Sequence, residues 1–259
     1  MASETVGIIG GTGWLGSGLA RAMIDSGFVV PEHLLLSNRS GSHPLAEQGV
    51  RLLADNQQLV EASDTVIIAV RPEQFADVQI QAAGKRVISL MAGVTARTLS
   101  QRTGATQVVR AMANAAVDIR QSFTPWYVAG ELDAADRHYV QRLLACVGTA
   151  REVPNEDCID YLSALSGTGP AFAALLMTAL SDQAIAAGIP ADIAREAAKG
   201  VVVDASQLLR DHDPRQMIDS LVAYRGVTAA ALQSMIDSGF EQAVGKALEA
   251  GATVARRGM

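Results

Sequence analysis

Gly11, Gly13 and Gly16 stand in the spacing G-x-G-x-x-G, directly after the apolar run Val6-Gly7-Ile8-Ile9 and ahead of a helix-like segment over residues 15–25. At the first strand-to-helix turn of a βαβ unit this spacing makes a seat for a pyrophosphate. The first glycine permits the tight turn, the second lets the backbone approach the anion, and the third lets helix pack closely on strand. The N–H groups that open the helix then face the anion. Gly11, Thr12, Gly13, Trp14 and Leu15 are the candidate pyrophosphate residues, with Trp14 expected at the edge of the turn rather than stacked on a ring. A glycine turn alone is common; its place in a βαβ unit is what points to a dinucleotide.

The end of the second apolar run refines the cofactor. A site for NAD places Asp or Glu there to accept from the ribose 2′-OH. This chain has Ser37-Asn38-Arg39-Ser40, with no acid. Arg39 can pair with a 2′-phosphate while Ser37 and Asn38 add hydrogen bonds, which favours NADPH; a solvated loop arginine is the plain alternative. Strand ends line the ligand crevice in such sheets. Ala69, Val70 and Arg71 leave the third strand there, ahead of Pro72 at a helix start, and Ala92 occupies the same edge after the fourth.

The elements that must position these residues follow from the pattern. Val6–Ile9, Leu34–Ser37 and residues 65–70, 86–90 and 106–110 read as buried parallel strands separated by helical segments. After about Pro154 the strands stop and Ala- and Leu-rich helical stretches follow over residues 170–187, 191–210 and 241–257. The expected fold class is α/β: an N-terminal Rossmann-type doubly wound sheet over residues 1–155 and a C-terminal all-helical dimerisation and substrate domain over residues 156–259. So small an apolar helical set has faces left for a second copy. A net charge of -6 argues against a nucleic-acid partner. Cys146 and Cys158 match no disulfide framework or zinc spacing, and the four histidines make no metal cluster. No stretch reads as a signal peptide or as long and apolar enough to span a bilayer, so the expected location is cytoplasmic.

Further along, Ala69-Val70-Arg71-Pro72, Val87-Ile88-Ser89-Leu90-Met91-Ala92-Gly93-Val94 and Leu165-Ser166-Gly167-Thr168-Gly169-Pro170-Ala171-Phe172 follow the glycine turn in order. Together they resemble the pyrroline-5-carboxylate reductase family across nearly the whole chain, and the Ser-Gly-Thr-Gly-Pro-Ala-Phe element is the most specific part. The resemblance implies hydride transfer from NADPH to a ring C=N carbon, in a homodimer or a larger assembly of dimers. The family's Ser-Pro-Gly-Gly-(Ser/Thr/Ala)-Thr loop corresponds here to Ala223-Tyr224-Arg225-Gly226-Val227-Thr228, with only Gly226 and Thr228 kept. Its Val-Met-Pro-Asn-Thr-Pro element corresponds to Ala111-Met112-Ala113-Asn114-Ala115-Ala116, with Asn114 kept.

Reducing an imine needs a donor to the nitrogen and, for a carboxylate substrate, donors that hold the carboxylate. Thr228 can supply the first, directly or through water; Arg225 and the helix-opening N–H groups of Gly226, Val227 and Thr228 can supply the second. Arg225 can equally face solvent, and Thr228 can be a plain helix-start residue. Asn114 is expected near the nicotinamide amide, with a turn-forming role as its alternative, and Ser166 and Thr168 at the base of the cleft. The altered loop leaves three readings: this imine, another imine or substrate, or a catalytically silent NADPH-binding dimer.

Overall fold

A computed structural model of the chain describes residues 4–38 and 42–257. The first apolar run forms β1 (Val6–Ile9), and the helix behind the glycine turn is α1 (Trp14–Asp25). There follow β2 (Leu34–Ser37), β3 (Arg51–Leu53), α2 (Asn56–Glu61), β4 (Thr65–Ile68), β5 (Arg86–Ser89), α3 (Ala96–Thr103) and β6 (Gln107–Ala111). After these come β7 (Ser122–Ala129), α4 (Ala134–Ala145) and β8 (Gly148–Glu152). Among the described residues the strands form one sheet in the order β3-β2-β1-β4-β5-β6-β7-β8. Pairing is parallel from β3 through β6, and the order turns at β1 and β4, the point where such sheets open a ligand crevice.

The five strands legible in sequence are present; β3, β7 and β8 are additions. The all-parallel expectation is corrected at one edge, where β7 runs antiparallel to β6 and β8 pairs parallel to β7. The reason is local. β3 is short and not fully buried. β7 carries Pro125, a residue that argues against an internal strand. Pro125 lies just past the last β6 pair, Ala111↔Trp126, and its carbonyl accepts from Met112 N at 3.0 Å.

Alternate side chains feed two cores. Ile8, Leu36, Ile67, Ile88 and Val109 pack with Leu19 and Met23 of α1 and with Leu143 and Leu144 of α4. Ile9, Leu35, Val66, Ile68, Val87 and Val108 pack with Leu59 and Val60 of α2, Phe75, and Leu99 of α3. Each such side chain contributes about 1.5–3 kcal/mol over its exposed state, which fixes the strand ends that carry the crevice.

From Asn155 onward the chain is helical. It forms α5 (Glu156–Leu162), a π turn (Ser163–Gly167), α6 (Gly169–Ala186), α7 (Ala191–Lys199), α8 (Pro214–Ala223), α9 (Val227–Asp237) and α10 (Phe240–Arg257). By contact the chain divides into one unit that closes at Thr168 and takes in residues from Ala250 onward, and a second, Gly169–Glu249. Three helical expectations are corrected. The helix expected from residue 170 has no separate start there: the path is helical from α5 through the π turn into α6, where the glycines and a proline without N–H loosen the ladder. The stretch over 191–210 ends as a helix at Lys199, because Gly200 and the β-branched run Val201-Val202-Val203 divert it into a π turn and then a 3-10 turn. The run Glu156–Ala186 has a window of mean hydropathy 1.3 and is by length and composition enough to cross a bilayer, against the expectation that no stretch is. Averaged hydropathy does not separate lipid from a protein partner; within the second unit Leu175, Leu180, Ile193 and Leu208 stay exposed.

One buried charge network secures β6. The Arg110 guanidinium, 1% exposed, donates from Nη1 to Glu156 Oε1 at 2.8 Å and from Nη2 to Asp160 Oδ1 at 2.9 Å. Glu156 Oε1 also accepts from Ala96 N at 2.7 Å, at the start of α3. Arg110→Met strands the buried Asp160 without a partner. The expected loss of stability is about 3–5 kcal/mol, read as a lower denaturation midpoint, since breaking a buried pair leaves an uncompensated charge.

Candidate active site

The glycine turn is a set of close approaches. Gly10 holds a φ of +79°, and its N–H and that of Gly11 donate to Ser37 O at 3.2 and 3.3 Å, tying the ends of β1 and β2 together. Sequence spacing gave the tight turn to Gly11; the left-handed residue is Gly10, one position earlier. Gly11 lacks a side chain for a different reason, because a Cβ there would lie 2.7 Å from Leu36. At Gly16 a Cβ would fall 2.6 Å from Gly10 O, so only glycine lets α1 lie this close. Gly13 caps α1 with no side-chain bond, leaving the first-turn N–H groups of Trp14 and Leu15 directed at the crevice. A bare helix start beside a backbone that a Cβ would fill suits a pyrophosphate.

Trp14 stands at the rim, 63% exposed, with its indole Nε1 donating to Asp118 Oδ2 at 2.7 Å. Across the crevice Ala69 N donates to Ile9 O at 2.9 Å, and Val70 lies within 2.9 Å of any Cβ at Gly10. Arg71 caps the 3-10 turn Pro72–Asp77, its side chain exposed and 4.0 Å from Glu73. Ala92 is half-buried beside Gly93, whose φ is +70°.

At the ribose corner Ser37 is buried and its Oγ donates to Asn56 Oδ1 at 2.6 Å. Asn56 opens α2, behind a strand the sequence did not disclose. Asn38 Nδ2 donates to Ser42 O at 2.8 Å; Arg39 lies outside the described residues. His43, which sequence left without a role, accepts from Leu45 N on Nδ1 at 3.2 Å and lies 3.2 Å from Ser17 Oγ through Nε2. Burial, aided by Arg21, lowers its pKa below the ordinary imidazole value, so the ring fastens this corner in its neutral form.

Asn114 begins a 3-10 turn (Ala115–Ile119) and is 9% exposed. Its Oδ1 accepts from Ala116 N at 2.9 Å and its Nδ2 donates to Ser166 O at 2.8 Å. Pro170, four residues past Ser166, has no N–H to offer that carbonyl, and the asparagine supplies the donor in its place. Ser166 Oγ turns back to Leu162 O at 2.9 Å, while Thr168 is exposed at the end of the π turn.

Within the second unit, Tyr224, Arg225 and Gly226 join α8 to α9. Arg225 has a φ of +61° and Gly226 a φ of +101°, so two left-handed residues follow one another. No side chain caps α9, and its opening N–H groups at Val227 and Thr228 stand free of helical acceptors. Arg225, Val227 and Thr228 are all exposed.

A family model described as "Pyrroline-5-carboxylate reductase dimerisation" matches residues 156–258, and one described as "NADP oxidoreductase coenzyme F420-dependent" matches residues 5–93. Pyrroline-5-carboxylate reductase 2 of Macaca fascicularis is 32% identical over 95% of this chain and 81% of its own length. The chain belongs to the pyrroline-5-carboxylate reductase family. A Coxiella burnetii pyrroline-5-carboxylate reductase superposes with a TM-score of 0.86 at 26% identity, covering 98% of both chains. The Plasmodium falciparum pyrroline carboxylate reductase, solved with NADP bound, has the same TM-score of 0.86 at 22% identity, covering 99% of this chain and 98% of its own. The helical half of this chain is thus a dimerisation domain.

Proposed function

We propose that this chain reduces 1-pyrroline-5-carboxylate to proline with NADPH. The observation that carries the reading is the loop ahead of α9, where consecutive left-handed residues, Arg225 and Gly226, open a helix start with no side-chain cap. Bound NADPH supplies the hydride that the imine carbon accepts. The backbone of Gly11, Thr12, Gly13, Trp14 and Leu15 holds its pyrophosphate; Ser37, Asn38 and Arg39 hold the 2′-phosphate end. Ala69, Val70, Arg71 and Ala92 line the middle of the crevice, and Asn114 shapes its nicotinamide end. The N–H groups of Gly226 and Val227, with Arg225, bind the substrate carboxylate, and Ser166 and Thr168 form the base of the cleft. Thr228 donates to the imine nitrogen, directly or through water, so that the nitrogen takes up a proton as the carbon is reduced.

In domain terms, residues 1–155 carry the cofactor, and residues 156–259 carry the dimer contact and the substrate. The protein works in the cytoplasm as a homodimer or a larger assembly of dimers, and its acidic balance supports no nucleic-acid partner. The composition of the Tyr224-Arg225 pair favours one second reading, a related imine of different ring size. Steady-state turnover of pyrroline-5-carboxylate beside its six-membered homologue, with NADPH and NADH in parallel, decides between them. The expected result is highest kcat/KM for the five-membered ring with NADPH. Preference for the larger ring moves the assignment to that imine.

Arg225 makes its own test. A non-glycine residue in the left-handed region costs about 1–2 kcal/mol. Arg225→Gly is expected to raise the denaturation midpoint and to raise KM about tenfold, as the carboxylate loses a charged partner. A solvent-facing arginine gives the stability gain with KM unchanged.

A further inference from the structure

Trp14 is a large aromatic residue left at the mouth of the cofactor crevice, and burial does not account for its position. Its indole N–H reaches 104 residues along the chain to Asp118 Oδ2 at 2.7 Å. Asp118 lies in the 3-10 turn that begins at Asn114 and ends at Arg120, whose left-handed φ of +53° and N–H bond to Val117 O close it as a rigid piece. On the α1 side, Gly18 lets Val117 approach so closely that a Cβ there would lie 2.7 Å from the valine methyl. Arg21 flanks the pair, 4.0 Å from the other Asp118 oxygen. Beyond these contacts the two elements part around a cavity of about 120 Å³ edged by Arg21, Asp25 and Arg120. Asn114, at the head of the same turn, supports the Ser166 carbonyl.

We propose that Trp14 and Asp118 form a latch that sets the pyrophosphate turn in register with the Asn114 segment, and that both are positioning residues for the nicotinamide end of the cofactor. The proposal rests on the reading of the crevice as an NADPH site. The turn itself is held independently, by the Gly10 and Gly11 bonds to Ser37 O. Losing the latch therefore leaves the adenosine end of the site intact and frees the other end, where small misplacements have large consequences.

The test compares two ligands on the intact protein by calorimetry: NADPH, and adenosine 2′,5′-bisphosphate, which carries the adenosine end with a single 5′-phosphate and lacks the nicotinamide half. Trp14→Phe keeps the ring and removes the donor; Asp118→Ala removes the acceptor; Asp118→Asn keeps one. Trp14→Phe and Asp118→Ala are each expected to weaken NADPH about fivefold to tenfold, the net worth of one ordinary hydrogen bond. Affinity for the bisphosphate should stay unchanged, and the double variant should be no weaker than either single one. Asp118→Asn should recover most of the NADPH affinity. A role in stability alone would lower the denaturation midpoint and leave the ratio of the two affinities where it was; that unchanged ratio in both single variants overturns the latch. Absence of NADPH binding by the unaltered protein overturns the cofactor reading and the latch together. NADPH binding without turnover of any imine overturns only the substrate reading, and the ratio still decides the latch.

Discussion

Gly16→Ala is expected to lower NADPH affinity by on the order of 100-fold, the upper range for forcing a methyl into a packed site. The added carbon would fall 2.6 Å from Gly10 O and 3.0 Å from Gly11 Cα, and neither neighbour is a flexible side chain that can turn away. Relief must come from lifting α1 off the turn or from opening the turn, and both move the first-turn N–H groups that receive the pyrophosphate. Gly84→Ala is the control. Its φ of +74° makes alanine costly there, yet a Cβ would meet nothing within 4 Å. That variant should lose stability by about 1 kcal/mol and bind NADPH as before. Calorimetric titration of both variants checks the pair. Equal binding by Gly16→Ala and the unaltered protein would remove the glycine turn from the site.

Thr228→Ala is expected to lower kcat about 100-fold with a small change in KM, the usual scale for a positioned proton donor. The hydroxyl stands in the first turn of a helix that no side chain caps, and Gly226 ahead of it holds a φ of +101° and a ψ of -154°. That backbone region belongs to glycine, so the approach to Thr228 is fixed by conformation rather than by packing. Thr228→Ser retains a hydroxyl on the same backbone and should keep most of the rate. A threonine that only begins a helix would gain a few tenths of a kcal/mol in stability, on the order of the propensity difference, and lose nothing in kcat when replaced by alanine. Steady-state rates for Thr228→Ala and Thr228→Ser separate the two.

The parallel half of the sheet was legible because its strands are buried on both faces and show as unbroken apolar runs, Val6–Ile9 and Leu34–Ser37 among them. The antiparallel edge was not, since Pro125 interrupts β7 and the strand alternates small polar with apolar residues. The glycine spacing located the turn but not the left-handed Gly10, because spacing alone does not say which glycine must bend. Pairings far apart in sequence carry no local signature at all. Trp14 with Asp118, Ser37 with Asn56, and Asn114 with Ser166 each needed the fold to bring them together. The loop before α9 was legible only through its resemblance to a family motif, since a helix start reads alike whether or not a ligand meets it. The helix from Glu156 to Ala186 differs in the other direction: the sequence places a helix start near Pro170, and the π turn Ser163–Gly167 instead links α5 to α6.

The most direct measurement is transfer of deuterium from nicotinamide-deuterated NADPH to pyrroline-5-carboxylate, followed by mass analysis of the product. The expected result is proline heavier by one deuterium on the ring carbon that was doubly bonded to nitrogen, formed by the unaltered protein and nearly lost in Thr228→Ala. Tight NADPH binding with no labelled proline would contradict the assignment.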